Sequence, residues 1–484
     1  MKIIFGVLMD TEIEAIILSV LGWNQEHEVY VFANAVFSNK EILKVNEIGI
    51  INCEKKRFYL PAYGLANFTN EEFDTEKLYS FKPGNIGFSE WSDLFYQSFG
   101  VNGAIGILFL ILSVFRDVIF NQVRFFPFLF LFGDFGTGKT SYVERLLSLF
   151  GSDIIGTPLN NATSIALSRL ASTRINSLFY FKEYTNETDE KAQDFILTAY
   201  DGAGRTTGVK SNDNKTKSFP VRSGLIFDGN HLPTQKTAIL SRMILLNFEE
   251  SKFSDTQKGA YDKLKTAADN GLGNVLIEIL SQRELFQNEF KESFAKNVSD
   301  LKTSYKETFP ERTINHVALL MTPATILWDK LKFPFDFISV RRSIIENAEN
   351  QNNLLKQSGA VSIFWESFSN SIKKGLVIEF NGFNSKIAHF NIKKLNNIPI
   401  DIIQIKIASL YPIYVRYCRE NNATFLDHNS LRMILTSKSN KEFLPGSQKG
   451  RGLAIVDTDF GSCYQFSYKK VDNSIYLTDI EINL

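Results

Sequence analysis

An apolar run leads directly into a glycine-rich segment in the first third of the chain. Residues 125–132 read FFPFLFLF, a nearly continuous apolar stretch that is typical of a buried parallel strand. Residues 133–140 read GDFGTGKT and match the pattern G-x-x-x-x-G-K-S/T without a gap. Val143, Leu146, Leu147 and Phe150 then recur at helical spacing. A strand, a glycine-rich turn and a helix in this order predict an α/β fold with a largely parallel sheet.

This pattern binds phosphate groups for identifiable reasons. Glycines let backbone N–H groups turn towards phosphate oxygens, and the N-terminal end of the following helix attracts the same anion. Lys139 is expected to reach the β- and γ-phosphates, and the Thr140 hydroxyl to ligate Mg²⁺. The sequence therefore predicts a nucleotide site. The residues assigned to it are Gly133, Asp134, Phe135, Gly136, Thr137, Gly138, Lys139, Thr140 and Ser141.

Two later strand-like segments end in polar residues that suit phosphate chemistry. Residues 175–181 are followed by Lys182 and Glu183, and we assign Glu183 as the general base and as a second magnesium ligand. Residues 224–230 end in Asn230, which is suited to holding the attacking water. Glu183 alternatively is one solvated acid of an acidic loop, and Asn230 a turn residue. Lys182 stands where many ATPases carry an Asp that orients Mg²⁺.

Arg242 precedes the next apolar strand, residues 243–246. An arginine in this position suits a finger that reaches the nucleotide of a neighbouring subunit, and the alternative is an ordinary surface arginine. Lys139, Glu183, Asn230 and Arg242 form the predicted catalytic set.

Composition excludes several classes of protein. The chain has 484 residues with 53 basic and 53 acidic side chains, so it is not a globally basic nucleic-acid coat. Its 3 cysteines are far apart, which excludes a C-x-x-C zinc site and a disulfide framework. The apolar run 103–115 is shorter than the roughly 20 residues of a membrane-spanning helix. Asp10, Glu12 and Glu14 do not fit a signal peptide. We therefore expect a cytoplasmic protein with no membrane association.

The length and the changes in pattern predict five regions. They are a small β-containing region over residues 1–80, a helical collar over 81–120, an ATPase core over 121–250, a mainly helical lid or collar over 251–400, and a winged helix over 401–484.

Two segments are candidates for binding DNA. Residues 205–217 read RTTGVKSNDNKTK, in which a turn signal lies between β-compatible residues and predicts a basic hairpin. Its candidate contacts are Arg205, Lys210, Lys215 and Lys217. In the C-terminal region, a helix over residues 402–419 and a second helix capped at Asp427 precede a flexible basic tip, residues 446–452. The candidate contacts there are Arg432, Lys438, Lys449 and Arg451. The alternatives are a solvated loop for the first segment and a protein-docking domain for the second.

The order of these motifs resembles that of the AAA+ ATPases, and within them the superfamily 3 helicases of viruses, phages and plasmids. The resemblance is closest to the helicase module of primase–helicases encoded by phages and mobile elements, and it covers residues 85–330. It is carried by residues 128–140, 181–184, 200–202, 230, 233–234 and 241–242. It implies ATP with Mg²⁺ as cofactors, single-stranded or forked DNA as partner, and a ring, usually a hexamer, with active sites at subunit boundaries. The chain has no primase zinc finger or Toprim-like half, so priming is expected from a separate protein.

A second hypothesis keeps the nucleotide site but not the motor. Lys182 favours an assembly switch that binds ATP together with DNA or protein and hydrolyses ATP weakly. A GTPase is excluded because the chain has no N-K-x-D motif and no convincing D-x-x-G after the loop. A small-molecule kinase would need a substrate lid that the sequence does not indicate.

Overall fold

The computed structural model describes residues 14–54, 56–64, 67, 70–160, 163–185, 188–204, 206–208, 216–230, 232–233, 237–249, 253–393, 402–421, 423, 425–437, 443–444 and 455–467. The chain forms two compact units. The first contains Met1–Pro233 and Ala238–Gln351, and the second contains Thr234–Thr237 and Asn352–Leu484.

Short strands joined by tight turns form the beginning of the first unit, as the β-like segments there predict. They are β1 Ile16–Ile17, β2 Leu21–Asn24, β3 Val29–Val31, β4 Ala35–Ser38, β5 Glu41–Lys44, β6 Ile50–Cys53 and β7 Lys56–Tyr59. Two 3₁₀ turns, Pro61–Tyr63 and Glu71–Phe73, and the short helix α1, Asp74–Lys77, follow. Strands β1, β7 and β6 form a three-stranded sheet in that order.

The next part of the first unit alternates helices and strands. Its elements are α2 Phe88–Val114, α3 Arg116–Val123, β8 Phe128–Gly133, α4 Lys139–Leu147, β9 Thr157–Pro158, α5 Ser164–Ser172, β10 Arg174–Ile175, β11 Leu178–Tyr184, α6 Glu190–Ala199, β12 Thr206–Gly208, β13 Thr216–Ser218, β14 Gly224–Gly229, α7 Thr237–Leu240 and β15 Met243–Phe248.

Five of these strands form one sheet in the order β15-β8-β14-β11-β9, and every neighbouring pair is parallel. Strands β8 and β14 and the edge strand β15 are almost entirely buried, which explains their continuous apolar sequences. The predicted α/β class with a parallel sheet is therefore confirmed. Because the strands are parallel, their carboxyl ends meet at one edge of the sheet, where ligands bind in folds of this kind.

Helix α2 combines two helical segments that meet at Gly100, whose φ of 57° and ψ of −134° are not helical. The helix is long and apolar enough to cross a membrane by length and composition alone, but 72% of its most apolar window is buried within the protein. Residues 104–114 pack against the sheet and neighbouring helices as part of the core.

Strand β10 does not belong to the parallel sheet. It pairs with β2 and completes a second sheet in the order β10-β2-β3-β4-β5. The sequence predicts one strand over residues 175–181, but the structure contains two strands in different sheets. They are separated by a turn at Asn176, which has a positive φ of 55° and a buried side chain that bonds Asp117. The guanidinium carbon of Arg174 lies 3.5 Å from the centre of the Tyr79 ring and ties this turn to the N-terminal region.

Helices complete the first unit and extend into the second. They are α8 Asp255–Asn270, α9 Gly273–Leu280, α10 Arg283–Tyr305, α11 Glu311–Leu327 and α12 Phe337–Lys373. Helix α8 begins with a capping box, in which the side chains of Ser254 and Gln257 bond each other's backbone N–H groups.

The second unit combines helices with an antiparallel sheet. Its elements after α12 are β16 Phe390–Lys393, β17 Ile402–Ile405, α13 Ile407–Glu420, α14 His428–Leu435, β18 Phe443–Leu444, β19 Val456–Thr458 and β20 Gly461–Ser467. The sheet order is β16-β17-β20-β18, and β19 pairs with β20. The predicted helix over residues 402–419 begins later than expected, because the β-branched residues of β17 pair with β16 and β20 instead. Asp427 caps α14 by accepting bonds from the N–H groups of Asn429 and Ser430, as predicted.

Candidate functional site

A glycine-rich loop, residues 133–138, connects the carboxyl end of β8 to the first turn of α4. Gly136 and Gly138 have φ values of 81° and 92°, which residues with a side chain rarely adopt. The Thr137 hydroxyl donates to the Asp134 carbonyl at 2.8 Å and restrains the loop from within. Residues 134–136 are exposed, so the loop is accessible to a ligand from solvent.

Lys139 lies at the base of this loop and is only 7% exposed. Its ammonium group donates to the carbonyl oxygens of Gly133 and Asp134, both at 2.7 Å, and to the side-chain oxygen of Asn230 at 3.2 Å. Burial lowers the pKa of this lysine, while the charges of Asp228 and Asp134 act in the opposite direction. The structure thus brings together two of the predicted catalytic residues, Lys139 and Asn230.

Asp228 is a residue of this site that the sequence analysis did not assign. It lies in β14 and is 7% exposed, and its carboxylate accepts a bond from the Glu183 N–H at 2.9 Å. Burial raises its pKa, and the bond from the Glu183 N–H, the nearby Tyr180 hydroxyl and the charges of Lys139 and Lys182 partly offset that effect. The available signal was an acid within the otherwise apolar segment LIFDG, where an unpaired charge is costly.

The sequence predicted that Glu183 follows the strand. In the structure it lies within β11 instead. Its φ is 62°, and the pairing of β11 with β14 shifts register between Phe181 and Tyr184. A bulge of this kind redirects side chains next to functional sites. The Glu183 side chain is exposed, and its backbone N–H is bonded to Asp228. The structure therefore brings the Glu183 backbone to the site.

Thr140 and Ser141 lie in the first turn of α4, and Thr140 is exposed. The hydroxyl of Tyr180, in β11, is close to both Thr140 and Asp228. It is buried, yet it reaches hydrogen-bond geometry with neither of them. A buried hydroxyl with no hydrogen-bond partner among the described residues is unusual and marks a position where a ligand or a bound water would be stabilised. An open glycine-rich loop, a buried lysine, a hydroxyl and a carboxylate fit a nucleotide with Mg²⁺.

Arg242 lies at the opposite edge of the sheet. Its carbonyl accepts a bond from the Phe128 N–H at the amino end of β8, roughly 16 Å of strand away from the loop. Its guanidinium donates to the Ala238 carbonyl at 2.9 Å and lies 5.4 Å from the centre of the Tyr200 ring. Arg312 lies 5.5 Å from the same ring and donates to the Ser241 hydroxyl at 2.7 Å. The structure does not bring Arg242 to the Lys139 of its own chain.

The candidate DNA contacts are described only in part. Strands β12 and β13 form the predicted hairpin, in which Thr207 pairs with Lys217. Arg432 is exposed on α14. The remaining candidates lie outside the described residues: Arg205, Lys210, Lys215, Lys438, Lys449 and Arg451.

No protein-family model matches this chain, and a search of curated proteins finds no relative. Among solved structures, the active helicase Cch of SCCmec type IV is similar over 98% of this chain and 83% of its own, with a TM-score of 0.51 and 15% sequence identity. A structure of JCV helicase with a bound acetamide compound covers 56% of this chain and 63% of its own, at a TM-score of 0.24 and 11% identity, which is too distant to support an argument. The chain therefore has the fold of a helicase-like protein.

Proposed function

We propose that this protein is an ATP-dependent DNA helicase or translocase. The observation that carries the proposal is the position of Lys139, which is buried beneath an exposed glycine-rich loop and bonded to Asn230, the residue that follows β14. In this proposal residues 133–141 bind ATP, and Thr140 and Glu183 hold Mg²⁺. The ion would neutralise charge on the phosphates. Thr140 and Glu183 are assigned to Mg²⁺ because hydroxyl and carboxylate oxygens are the ligands that this ion prefers.

The chain's own residues would divide the hydrolytic work. Lys139 stabilises negative charge on the β- and γ-phosphates, while Asn230 positions the attacking water beside them. Glu183, which is exposed at the same edge of the sheet, accepts the proton from that water. The left-handed backbone at Glu183 supports this role, because it turns the carboxylate away from the direction of a regular strand.

Arg242 is proposed to act on the nucleotide of a neighbouring subunit in a ring, which we propose to be a hexamer. Its place at the edge opposite its own loop supports a role between subunits, since it is too distant to serve the Lys139 of its own chain. The β12–β13 hairpin is proposed to contact single-stranded or forked DNA through Arg205, Lys210, Lys215 and Lys217. The second unit, proposed to contain a winged helix, would add Arg432, Lys449 and Arg451.

The cellular setting belongs to the same proposal. We place the protein in the cytoplasm, acting in the replication of a phage, plasmid or mobile element together with a separate primase. An ATP-binding assembly switch is the second candidate. Lys182 favours it, because a cation next to the general base replaces the usual acid.

ATP hydrolysis with and without single-stranded DNA tests the proposal. We expect DNA to stimulate turnover, and Lys139→Ala, Glu183→Gln and Arg242→Ala each to abolish it. Mixing Arg242→Ala with Glu183→Gln subunits should restore activity, because each supplies what the other lacks at a shared site. ATP binding without turnover on any DNA would reject the motor and favour the switch.

Binding of single-stranded DNA at several salt concentrations tests the hairpin. Replacing Lys210, Lys215 and Lys217 by alanine should weaken binding. The slope of log K against log salt concentration should become less steep by roughly 0.7 per lost phosphate contact. Replacing three lysines of α8, Lys258, Lys263 and Lys265, provides a control with the same change of charge. An equal effect of both triple variants would reject a specific role of the hairpin.

A further inference from the structure

One carboxylate of the candidate site has no role in the function proposed above. Asp228 is 7% exposed, and a buried carboxylate is costly unless donors or cations face it. Four groups face Asp228: the Glu183 N–H, the Tyr180 hydroxyl, the Lys139 ammonium group and the Lys182 ammonium group. These groups partly offset the cost of burying a negative charge at this position.

The sheet places this carboxylate next to the glycine-rich loop. Strand β14 lies between β8 and β11, and Asp228 pairs with Leu131, two residues before the loop begins at Gly133. From the other side, β11 contributes the Glu183 N–H. Asp228 thus lies in β14 between two strands, near their carboxyl ends: β8, which leads into the loop, and β11, which carries Glu183.

A line of oxygen atoms connects Asp228 to the start of α4. The buried Tyr180 hydroxyl is close to both Asp228 and Thr140 but is hydrogen-bonded to neither. A carboxylate and hydroxyl groups are oxygen ligands of the kind that Mg²⁺ accepts, directly or through the waters that it keeps. A water of such an ion would give the Tyr180 hydroxyl a hydrogen-bond partner, which none of the described residues provides.

We infer that Asp228 is the carboxylate that orients the hydrated Mg²⁺ of the bound nucleotide, in place of the acid that position 182 lacks. The inference rests on the proposed function, because it takes the loop to bind a nucleotide. Lys182 fits this arrangement: its ammonium group lies 5.7 Å from the centre of the Tyr180 ring and faces Asp228 from the position where the acid would stand.

The binding of Mn²⁺ in place of Mg²⁺, measured by EPR on the full chain with saturating ADP, tests the inference. Asp228→Asn keeps an oxygen that can accept the Glu183 N–H and removes the charge. We expect it to weaken Mn²⁺ binding on the order of 10- to 100-fold. The double variant Lys182→Asp, Asp228→Asn returns an acid to position 182 and should regain most of the lost affinity.

Asp194→Asn, which neutralises an exposed acid of α6, is the matched control and should bind Mn²⁺ like the unaltered protein. If Asp228→Asn does not fold, Asp228→Ser provides a smaller replacement with the same expected loss. Unchanged Mn²⁺ affinity in a folded Asp228 variant that still binds ADP would overturn the inference and leave the proposed function intact. Failure of the unaltered protein to bind any nucleotide would reject both.

Discussion

Asn230 accepts a hydrogen bond from the ammonium group of Lys139 at 3.2 Å. The bond connects the end of β14 to the first residue of α4, so the proposed water-positioning residue and the phosphate-binding lysine share one geometry. We expect Asn230→Ala to retain ATP binding and to lower kcat on the order of 100-fold, because a preorganised polar group is lost from the transition state. Steady-state ATPase kinetics with DNA provide the measurement.

Asn247→Ala is the control for that variant. Asn247 is an exposed asparagine near the end of β15, a strand of the same sheet, and it is bonded to Glu249 and Asn102. Its kcat should stay close to that of the unaltered protein, and an equal loss in both variants would argue against a specific role for Asn230.

The ring of Tyr200 makes cation–π contacts with two guanidinium groups, those of Arg242 and Arg312. Tyr200→Leu removes this cation–π support, and we expect ATP turnover to fall towards that of Arg242→Ala while ATP affinity is retained. Tyr200→Phe keeps the ring but loses the bond of its hydroxyl to His316, at 2.8 Å in the structure. It should therefore lose about 1–3 kcal/mol of stability and keep its turnover per folded subunit. Equal turnover in the leucine and phenylalanine variants would reject this role of the ring.

Phe253 is 40% exposed, and its ring comes within 3.9 Å of the position that a Cβ of Gly138 would occupy. An exposed ring beside the phosphate loop suits stacking against a nucleobase, which contributes about 1–3 kcal/mol. We expect Phe253→Ala to weaken ATP binding about tenfold and to leave tripolyphosphate binding unchanged, as measured by calorimetry. Phe383→Ala, at a 98% exposed position in the second unit, is the control. A parallel loss of tripolyphosphate binding would place the effect in the loop and not at the base.

Gly22 is required where β2 meets β10. It has a φ of 92°, and a Cβ there would lie 1.8 Å from the Ile175 carbonyl oxygen. Gly22→Ala should therefore lower the thermal unfolding midpoint more than Gly136→Ala does. Gly136 has a similar φ of 81° with no atom within 4 Å of its Cβ position, so alanine there meets backbone strain alone, about 1–3 kcal/mol. Equal shifts in the two variants would contradict the close approach of β2 and β10.

His316 is buried, and burial together with the nearby charge of Arg312 lowers its pKa to about 3. The unfolded chain binds a proton at this histidine near its ordinary pKa of about 6.5, so the unfolded state takes up more protons as the pH falls. The neutral His316 therefore contributes fully to the free energy of unfolding above pH 6.5, and this contribution is lost as the pH falls towards 3. Between pH 7 and 5 this histidine should lower the free energy of unfolding by about 2 kcal/mol, as measured by urea unfolding. His316→Gln should reduce this pH dependence, and an unchanged profile would reject the assignment.

Local sequence patterns were sufficient for the elements that surround the loop. The apolar run before Gly133 predicted β8, the helical spacing after Lys139 predicted α4, and the segment before Asn230 predicted β14. Burial on both faces of a sheet leaves a continuous apolar run in the sequence, and burial on one face of a helix leaves apolar residues at helical spacing.

Relations between distant segments left no such record. Arg174 and Ile175 belong to a sheet whose other strands come from the N-terminal region, and no local periodicity indicates that pairing. The place of Asp228 beside Lys139 and Glu183 likewise depends on strand order, which brings residues from three separate segments to one edge. Only the lone charge in an apolar strand pointed to it.

The pairing of β10 with β2 also has a consequence for how the chain folds during its synthesis. The N-terminal sheet cannot be completed until the ribosome has added Ile175, by which time β8 and α4 have already been made. Until then the open edge of β2 is a potential site for wrong pairing with another nascent chain. The N-terminal sheet is therefore completed only after the nucleotide-binding segment has been synthesised.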